Sequence, residues 1–390
     1  MTTHRTVAVI GGGLIGSWTA FCLRRRGADV VLIEKDAVGA QSSGVNFGNV
    51  RLQGRHKAQY KLALRSHALW EQAATLTGED CEFEQTGHLY IAFAAAQDAT
   101  LRGIVAEARA AGVDSQLLDG DAARARFPWL SGAVTSASWS ARDATANPRL
   151  ATPAVARAAH ALGAQVMEAT KVETIAREGD RFRVATTRGT LTCDWVVNAA
   201  GAWGAGVAAT FGEPVPLFAA GPPQFVTEPL PRFILPSVQA VDGSIILRQV
   251  ARGNVVAAGY PRGPSDMLRN RAPVPPEKTL AGIRSMARAV PRLAGAHVIR
   301  VWSGIEGYLP DMLPVIGPSG TTARLLHAFG CCGHGFQIAP GVGAVLTELI
   351  LDGATPTPID AFAITRFRDA KVAASSKLAA EFDPAILPGG

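Results

Sequence analysis

The run TVAVIGGGLIGSWTAFCLRRRGADVVLIE, residues 6–34, decides the fold. Thr6–Ile10 is a short apolar stretch without alternation, as expected of a parallel strand buried on both faces. Gly11-Gly12-Gly13 ends it. Leu14–Arg26 then carries a helical pattern, with Gly27 as its stop signal, and Asp29–Ile33 is a second buried strand ending at Glu34. Strand, glycine turn, helix and strand within about 30 residues make a βαβ unit. In that context Gly11-x-Gly13-x-x-Gly16 is a dinucleotide signature. Gly11 permits the tight turn, Gly13 leaves room for a pyrophosphate, and Gly16 lets helix and strand pack closely. The phosphates sit at a helix N-terminus, where free N–H groups and the dipole favour anions. Glu34 is the expected acceptor for adenosine ribose hydroxyls, and its charge repels a 2′-phosphate.

Outward from this unit, Gly39–Gly54 is rich in Gly, Ser and Asn and too polar for a core element, while Lys57–Ala74 reads as helix. Residues 86–92 and 181–195 alternate as strands do, with a hairpin turn at Gly189. Proline-rich stretches, Pro214–Pro236 and Pro261–Pro276, punctuate strand-like pieces at Ser244–Arg248 and Asn254–Gly259. Cys193–Gly204 runs from a buried strand into Ala199, Ala200 and Gly201, small enough for backbone to approach a cofactor. Leu325–Ala328 is a strand, followed by a glycine-rich turn and a helix from Gln337 to Leu351. The expectation is an α/β fold, α+β overall: a Rossmann-like FAD-binding domain with an inserted substrate domain on a mainly antiparallel sheet. The FAD-binding domain is discontinuous, 1–85, 140–215 and 300–390; the substrate domain takes 86–139 and 216–299. A nicotinamide dehydrogenase more often keeps its nucleotide domain contiguous, so the cofactor reads as FAD.

Composition narrows the class. With 390 residues, 48% of them apolar and 18% charged, the chain can bury a large core like an ordinary globular enzyme. The formal charge of +6 includes no long Lys/Arg run; Arg24-Arg25-Arg26 falls at a helix end, where cations complement the dipole, and no nucleic-acid partner is expected. Five cysteines without regular spacing argue against a disulfide framework, and without a CxxC pair no metal site is expected. A strand beginning near Thr6 leaves no room for a signal peptide, and the apolar stretches are too interrupted for a membrane span. A cytoplasmic protein is expected.

The combination of motifs resembles the D-amino-acid oxidase superfamily of FAD enzymes, which includes glycine oxidase and monomeric sarcosine oxidase. Its markers here are GGGLIG at 11–16, Ser42-Ser43 before a glycine-rich loop, Asp143-x-x-x-Asn147-Pro148, VVNAAGAW, and Gly333-His334-Gly335-Phe336 opening the last helix. The resemblance covers nearly the whole chain. It implies oxidation of the C–N bond of an amino acid or secondary amine: a hydride passes to flavin N5, and the imine is hydrolysed. It also implies that Gly333–Phe336 and Gln337 lie against the flavin ring, with N–H groups stabilising negative charge there. Ile15, Lys35, Asn49, Val50, Val172 and Gly304 join the implied cofactor contacts, beside Ala200 and Gly201.

Gly48-Asn49-Val50-Arg51 resembles the Gly-Asp-Thr-Arg run of sarcosine oxidase, which implies that Arg51 reaches the flavin's reactive face. Arg55 is a candidate for a substrate carboxylate, which an arginine fork can bind through two bonds. His334 is a catalytic candidate with a flavin-contact alternative, and Cys331-Cys332 read as small buried side chains. One stretch departs from much of the superfamily. Where many amino-acid oxidases carry Arg to clamp the substrate carboxylate, this chain has Glu306. The variant is similar to the flavin subunits of hydrogen cyanide synthase, opine oxidase and D-hydroxyproline dehydrogenase, which implies additional subunits. Carboxylate binding then falls to Arg51, Arg55, Tyr260 or Arg248, or Glu306 itself faces a cationic amine or guanidinium; a structural ion pair is the further alternative for Glu306. Residues 302–317 hold no cysteine, so FAD is expected to be non-covalent. Oxygen or an electron-transfer partner serves as acceptor. The alternatives are C–O oxidation of a 2-hydroxy acid and a flavin subunit within a dehydrogenase complex.

Overall fold

The computed structural model describes residues 5–387 except 260, 369–371 and 377. At its centre, β1 (Thr6–Ile10) pairs in parallel with β2 (Asp29–Ile33) on one side and with Trp195–Asn198 on the other. Gln165–Met167 extends the sheet beyond β2, and Leu325–Phe329 extends it beyond Trp195–Asn198. Val315–Pro318 closes that end as an antiparallel edge. The inner strands are apolar without alternation because both faces are covered. On one face, α1 (Leu14–Arg25) packs against the helices Pro148–Ala161 and Gly335–Leu351. The last helix approaches closely: a Cβ on Gly343 would lie 2.7 Å from the Trp18 backbone. On the other face, the antiparallel meander Val172–Glu178, Arg181–Thr186 and Gly189–Cys193 lays Phe182 and Val184 against Ala8 and Ile10.

The second large sheet has eight strands, drawn from residues 88–140 and 224–302. Its pairings are antiparallel apart from His88–Ala92 with Ser237–Ala240. The sheet is mixed in orientation, and the molecule as a whole joins the expected α/β and antiparallel components.

Several elements differ from the sequence reading. The polar segment 39–54 contains α2 (Ser42–Val45) and β3 (Asn49–Val50), and Val50 and Leu52 are fully buried. Its polar groups turn inward: Asn46 Oδ1 accepts from the Gly48 N–H, and Asp143 Oδ1 accepts from the Leu52 N–H. The helix expected over 57–74 is a 3-10 turn followed by α3 (Tyr60–Trp70) and a short helix Ala73–Thr77. Trp70, at the break, anchors its indole N–H on the Gln337 carbonyl. His88–Ala92 is buried throughout, since neighbours on both sides make it a central strand. Helices Asp98–Ala110, Pro148–Ala161 and Pro276–Ala289 add to the elements read from sequence.

Candidate active site

The glycine turn is shaped by steric exclusion. Gly11 has φ +106°, and a Cβ there would overlap the Ala199 carbonyl; a Cβ on Gly16 would overlap the Gly11 carbonyl. Gly13 faces a cavity instead, where the nearest side-chain atom to an added Cβ is Ser43 Oγ at 2.9 Å. No side chain caps α1 at Gly13, and the Leu14 N–H donates to Ser43 Oγ at 2.8 Å. Glu34 accepts from the Gly12 N–H at 2.7 Å and from the Asp36 N–H at 2.9 Å. A carboxylate has about four lone-pair sites, so two remain for ribose hydroxyls. Burial pushes the Glu34 carboxyl up, against these two backbone donors. Beside it, the Lys35 ammonium lies 3.4 Å from the Trp203 ring centroid and donates to Asn270 Oδ1.

The same cavity continues to the turn Gly330–Gly335 and the first residues of the last helix. His334 precedes that helix, and its Nδ1 lies 3.2 Å from Gln59 Oε1. Phe336 packs on Trp70 with ring centroids 4.9 Å apart. Cys331 lines the cavity, and burial, then Glu306, pushes its thiol up to about 12. Cys332 turns inward, its thiol near the Gly330 carbonyl at 3.1 Å.

Two buried arginines define the polar side of this end. Arg55 is 3% exposed and donates twice to the Arg51 carbonyl, through Nε and Nη2. Its Nη1 has no hydrogen-bond partner among the described residues. Burial, then the Arg51 charge, lowers its pKa to about 9. Arg51 donates to the Gln53 carbonyl and lies 5.3 Å from the Tyr90 ring centroid. The buried carboxyl nearby is Asp143, engaged with the N–H groups of Leu52 and Gln53. Burial raises Asp143 to about 6, against those N–H groups and Arg51. Glu306 begins the strand Glu306–Tyr308 and accepts a hydrogen bond from the Tyr308 hydroxyl.

Residues 6–349 match the FAD dependent oxidoreductase (DAO) family. The chain belongs to the DAO family of FAD-dependent oxidoreductases. Over 379 residues it is 30% identical to 4-methylaminobutanoate oxidase (formaldehyde-forming) of Paenarthrobacter nicotinovorans, covering 94% of this chain and 46% of that protein. It is 25% identical over 410 residues to hydrogen cyanide synthase subunit HcnC of Pseudomonas aeruginosa, covering 93% of this chain and 96% of the subunit. The crystal structure of L-proline dehydrogenase from P. horikoshii matches with a TM-score of 0.87 at 29% identity, over 94% of this chain and 99% of that one. The DAO-family chain thus spans less than half of the methylaminobutanoate oxidase and nearly all of the other two.

FAD is the cofactor of this DAO-family oxidoreductase, and the cradle fits it: bare glycine backbone, a helix start whose N-cap Gly13 offers no side chain, and a carboxylate with spare acceptor sites. The cavity brings together Gly11, Gly13, Ile15, Glu34, Lys35, Ser42, Ser43 and Asn49 from the first third of the chain. Val172, Ala200 and Gly201 join them, as do Gly333, His334, Gly335, Phe336 and Gln337. Arg51, Arg55 and Glu306 line it too.

Gly16 is packed inside the turn against Gly11 and Val9, the place expected of it, and three expected contacts lie elsewhere. Val50 is fully buried, and Gly304 lies against Val45, where a Cβ would overlap its methyl group. Arg248 is buried behind Phe47 and Gly48, 5.6 Å from the Phe47 ring centroid, and is not among the cavity-lining residues. Tyr260 lies outside the described residues. The sequence reading omitted Arg262, which lines the cavity, pairs with Glu381 at 2.7 Å and lies over Tyr308. No local pattern announces a partner 119 residues away.

Among the described residues no helix is long and apolar enough to cross a membrane. Arg24 and Arg26 of the basic triplet pair with Asp29 and Asp352.

Proposed function

We propose that this chain oxidises the C–N bond of a carboxylate-bearing amine, with secondary amines such as imino acids and N-alkyl amino acids as the substrate class. The observation that carries the reading is Arg55. A buried guanidinium whose Nη1 has no hydrogen-bond partner among the described residues, in a residue that lines the cavity, is costly unless an anion arrives to pair with it. With Arg51 beside it, the pair offers a fork for the substrate carboxylate. Glu306 supplies the opposite charge on the same cavity, suited to hold a substrate ammonium and to take its proton, with the Tyr308 hydroxyl steadying the carboxylate. The names of two relatives support an amine of this kind: one is a methylaminobutanoate oxidase, the other an L-proline dehydrogenase.

When bound, FAD supplies the two-electron oxidation by accepting a hydride at N5. The protein's part is to place the amine, remove its proton and present the N–H groups opening the last helix to developing negative charge. His334 serves as a contact in that turn. The imine leaves the reaction by taking up water. FAD is held non-covalently in this reading: Cys331 and Cys332 both line the cavity, burial pushes both thiols up and keeps them protonated, and Cys332 is turned toward the Gly330 carbonyl. The nucleotide unit comprises 1–85, 140–215 and 300–390, with 86–139 and 216–299 forming the substrate unit.

The test is flavin absorbance near 450 nm, a property of the bound cofactor, followed without oxygen. Proline, N-methyl amino acids and opines are expected to bleach it, with 2-hydroxy acids inert. Reduction by hydroxy acids alone would replace amine oxidation with C–O oxidation. A second reading, work within a larger complex, is supported by the similarity to a named subunit, HcnC. Turnover that appears only when neighbouring gene products are added would establish it.

A further inference from the structure

A buried polar chain lies behind the turn Ala199–Trp203, and none of its own side chains has been given a role above. Asn198 and His327 sit opposite one another on neighbouring parallel strands. The Asn198 amide nitrogen donates to the Gly204 carbonyl at 2.9 Å and approaches His327 Nδ1 at 3.1 Å. Its amide oxygen accepts from the Ala200 N–H at 3.4 Å. At the other side of the ring, His327 Nε2 lies 3.0 Å from Glu213 Oε2. That oxygen also accepts from the Ser319 hydroxyl at 2.6 Å, and Glu213 Oε1 accepts from the Gly320 N–H at 2.6 Å. The side chains of His327 and Glu213 are 0% and 3% exposed.

The polarity of each link is determined. Gly204 and Ala200 orient the Asn198 amide, so it presents only N–H to His327. Nδ1 is therefore an acceptor, and the ring proton resides on Nε2, directed at the carboxylate. Burial raises the Glu213 carboxyl, but hydrogen bonds from His327, Ser319 and Gly320 outweigh it and hold the group below its ordinary value.

Strand pairing alone needs no charged group here, because the backbone supplies the ladder. As a pure stabiliser, a buried carboxylate–imidazole pair is a poor substitute for apolar packing. What the chain does specify is direction. It ends on the Ala200 N–H, and the turn it fixes lines the cofactor cavity and abuts Gly11 through the Ala199 carbonyl.

We propose that Glu213, His327 and Asn198 are positioning residues that set the turn Ala199–Trp203 against FAD. The proposal rests on the assignment of Ala200 and Gly201 to the FAD cradle. Glu213→Gln is the sharpest variant because it is nearly isosteric. A carboxamide cannot accept from His327, Ser319 and the Gly320 N–H together. If its NH2 faces His327, the ring proton must move to Nδ1, against the Asn198 N–H.

The experiment titrates apo-protein with FAD by flavin fluorescence and measures the flavin midpoint potential and the apo-protein Tm. Glu213→Gln and His327→Leu are expected to weaken FAD binding by about tenfold or more and to shift the potential. His327→Gln, which keeps one donor and one acceptor, should restore part of the affinity. FAD affinity and potential within about twofold of wild type in Glu213→Gln, even with a lowered Tm, would make the chain merely structural and overturn the proposal. Should His327→Leu not fold, Glu213→Gln decides by itself. Ala200→Leu separates the two layers: unchanged FAD affinity there removes the cradle assignment, whereas weakened affinity with a normal Glu213→Gln removes only the relay.

Discussion

The two ends of the cavity are built on different principles. Around Gly11, Gly13 and Gly16 the site consists of backbone, shaped by where a Cβ cannot go. Around Arg51, Arg55 and Glu306 it consists of charged side chains, with Arg55 held at a cost by burial. The first end is nearly complete before a ligand arrives, and the second is electrostatically incomplete without one. Changes at the first end should therefore act on cofactor retention, while changes at the second should act on substrate and spare the cofactor.

The largest expected effect is at the backbone end. Gly13→Val places a branched side chain where the pyrophosphate must approach, and FAD affinity should fall by at least about a hundredfold, ~3 kcal/mol. The ratio of flavin to protein absorbance after purification measures it; full FAD occupancy would break the assignment of this turn.

Next, Arg55→Met should raise the substrate concentration for half-maximal flavin reduction by about a hundredfold, as expected when one partner of a buried charge pair is removed. The unliganded fold should change little, because relief of the buried charge is offset by loss of both hydrogen bonds to the Arg51 carbonyl, about 1–3 kcal/mol. Loss of FAD in this variant would show that the two ends are not separable.

Glu306→Gln should change the Michaelis constant by about tenfold and leave FAD content at the wild-type level. Equal kinetics would reduce Glu306 to a structural partner of Tyr308.

The last effect acts on stability rather than on binding, and depends on pH. Folded Asp143 keeps its proton to about pH 6, against a reference value of 3.8. Between those values the folded state binds more protons than the unfolded chain, so the Asp143 contribution to stability falls as pH rises and is level above about 6. The contribution should not exceed about 3 kcal/mol. Urea unfolding at several pH values should show this slope in wild type and its loss in Asp143→Asn. An unchanged slope in the variant would assign the titration to another group.

Much of this molecule is legible along the chain. The βαβ unit is local, and glycine spacing, buried-strand composition and a carboxylate at the end of β2 all lie within residues 6–34. Steric exclusion within the turn, as of a Cβ on Gly16 by the Gly11 carbonyl, depends on near neighbours, so residue type and spacing capture it. The exclusion at Gly11 by the Ala199 carbonyl, by contrast, does not lie along the chain. At Gly333–Phe336 the local sequence shows only a glycine-rich turn before a helix, and its place at the flavin is what the family resemblance implies. Segment 39–54 was harder: its Ser and Asn residues look like solvent-facing loop, yet their hydrogen bonds close on backbone inside the molecule.

Only the tertiary structure decided how charge is arranged. Arg248 and Arg55 are both arginines in plausible places, but Arg55 lines the cavity and Arg248 lies behind Phe47. Arg262 meets Glu381, and His327 meets Glu213 and Asn198, across more than a hundred residues of chain. Backbone geometry is dictated by the residues beside it. The worth of a buried charge depends on which distant groups the fold brings within a few ångströms, and no local pattern carries that information.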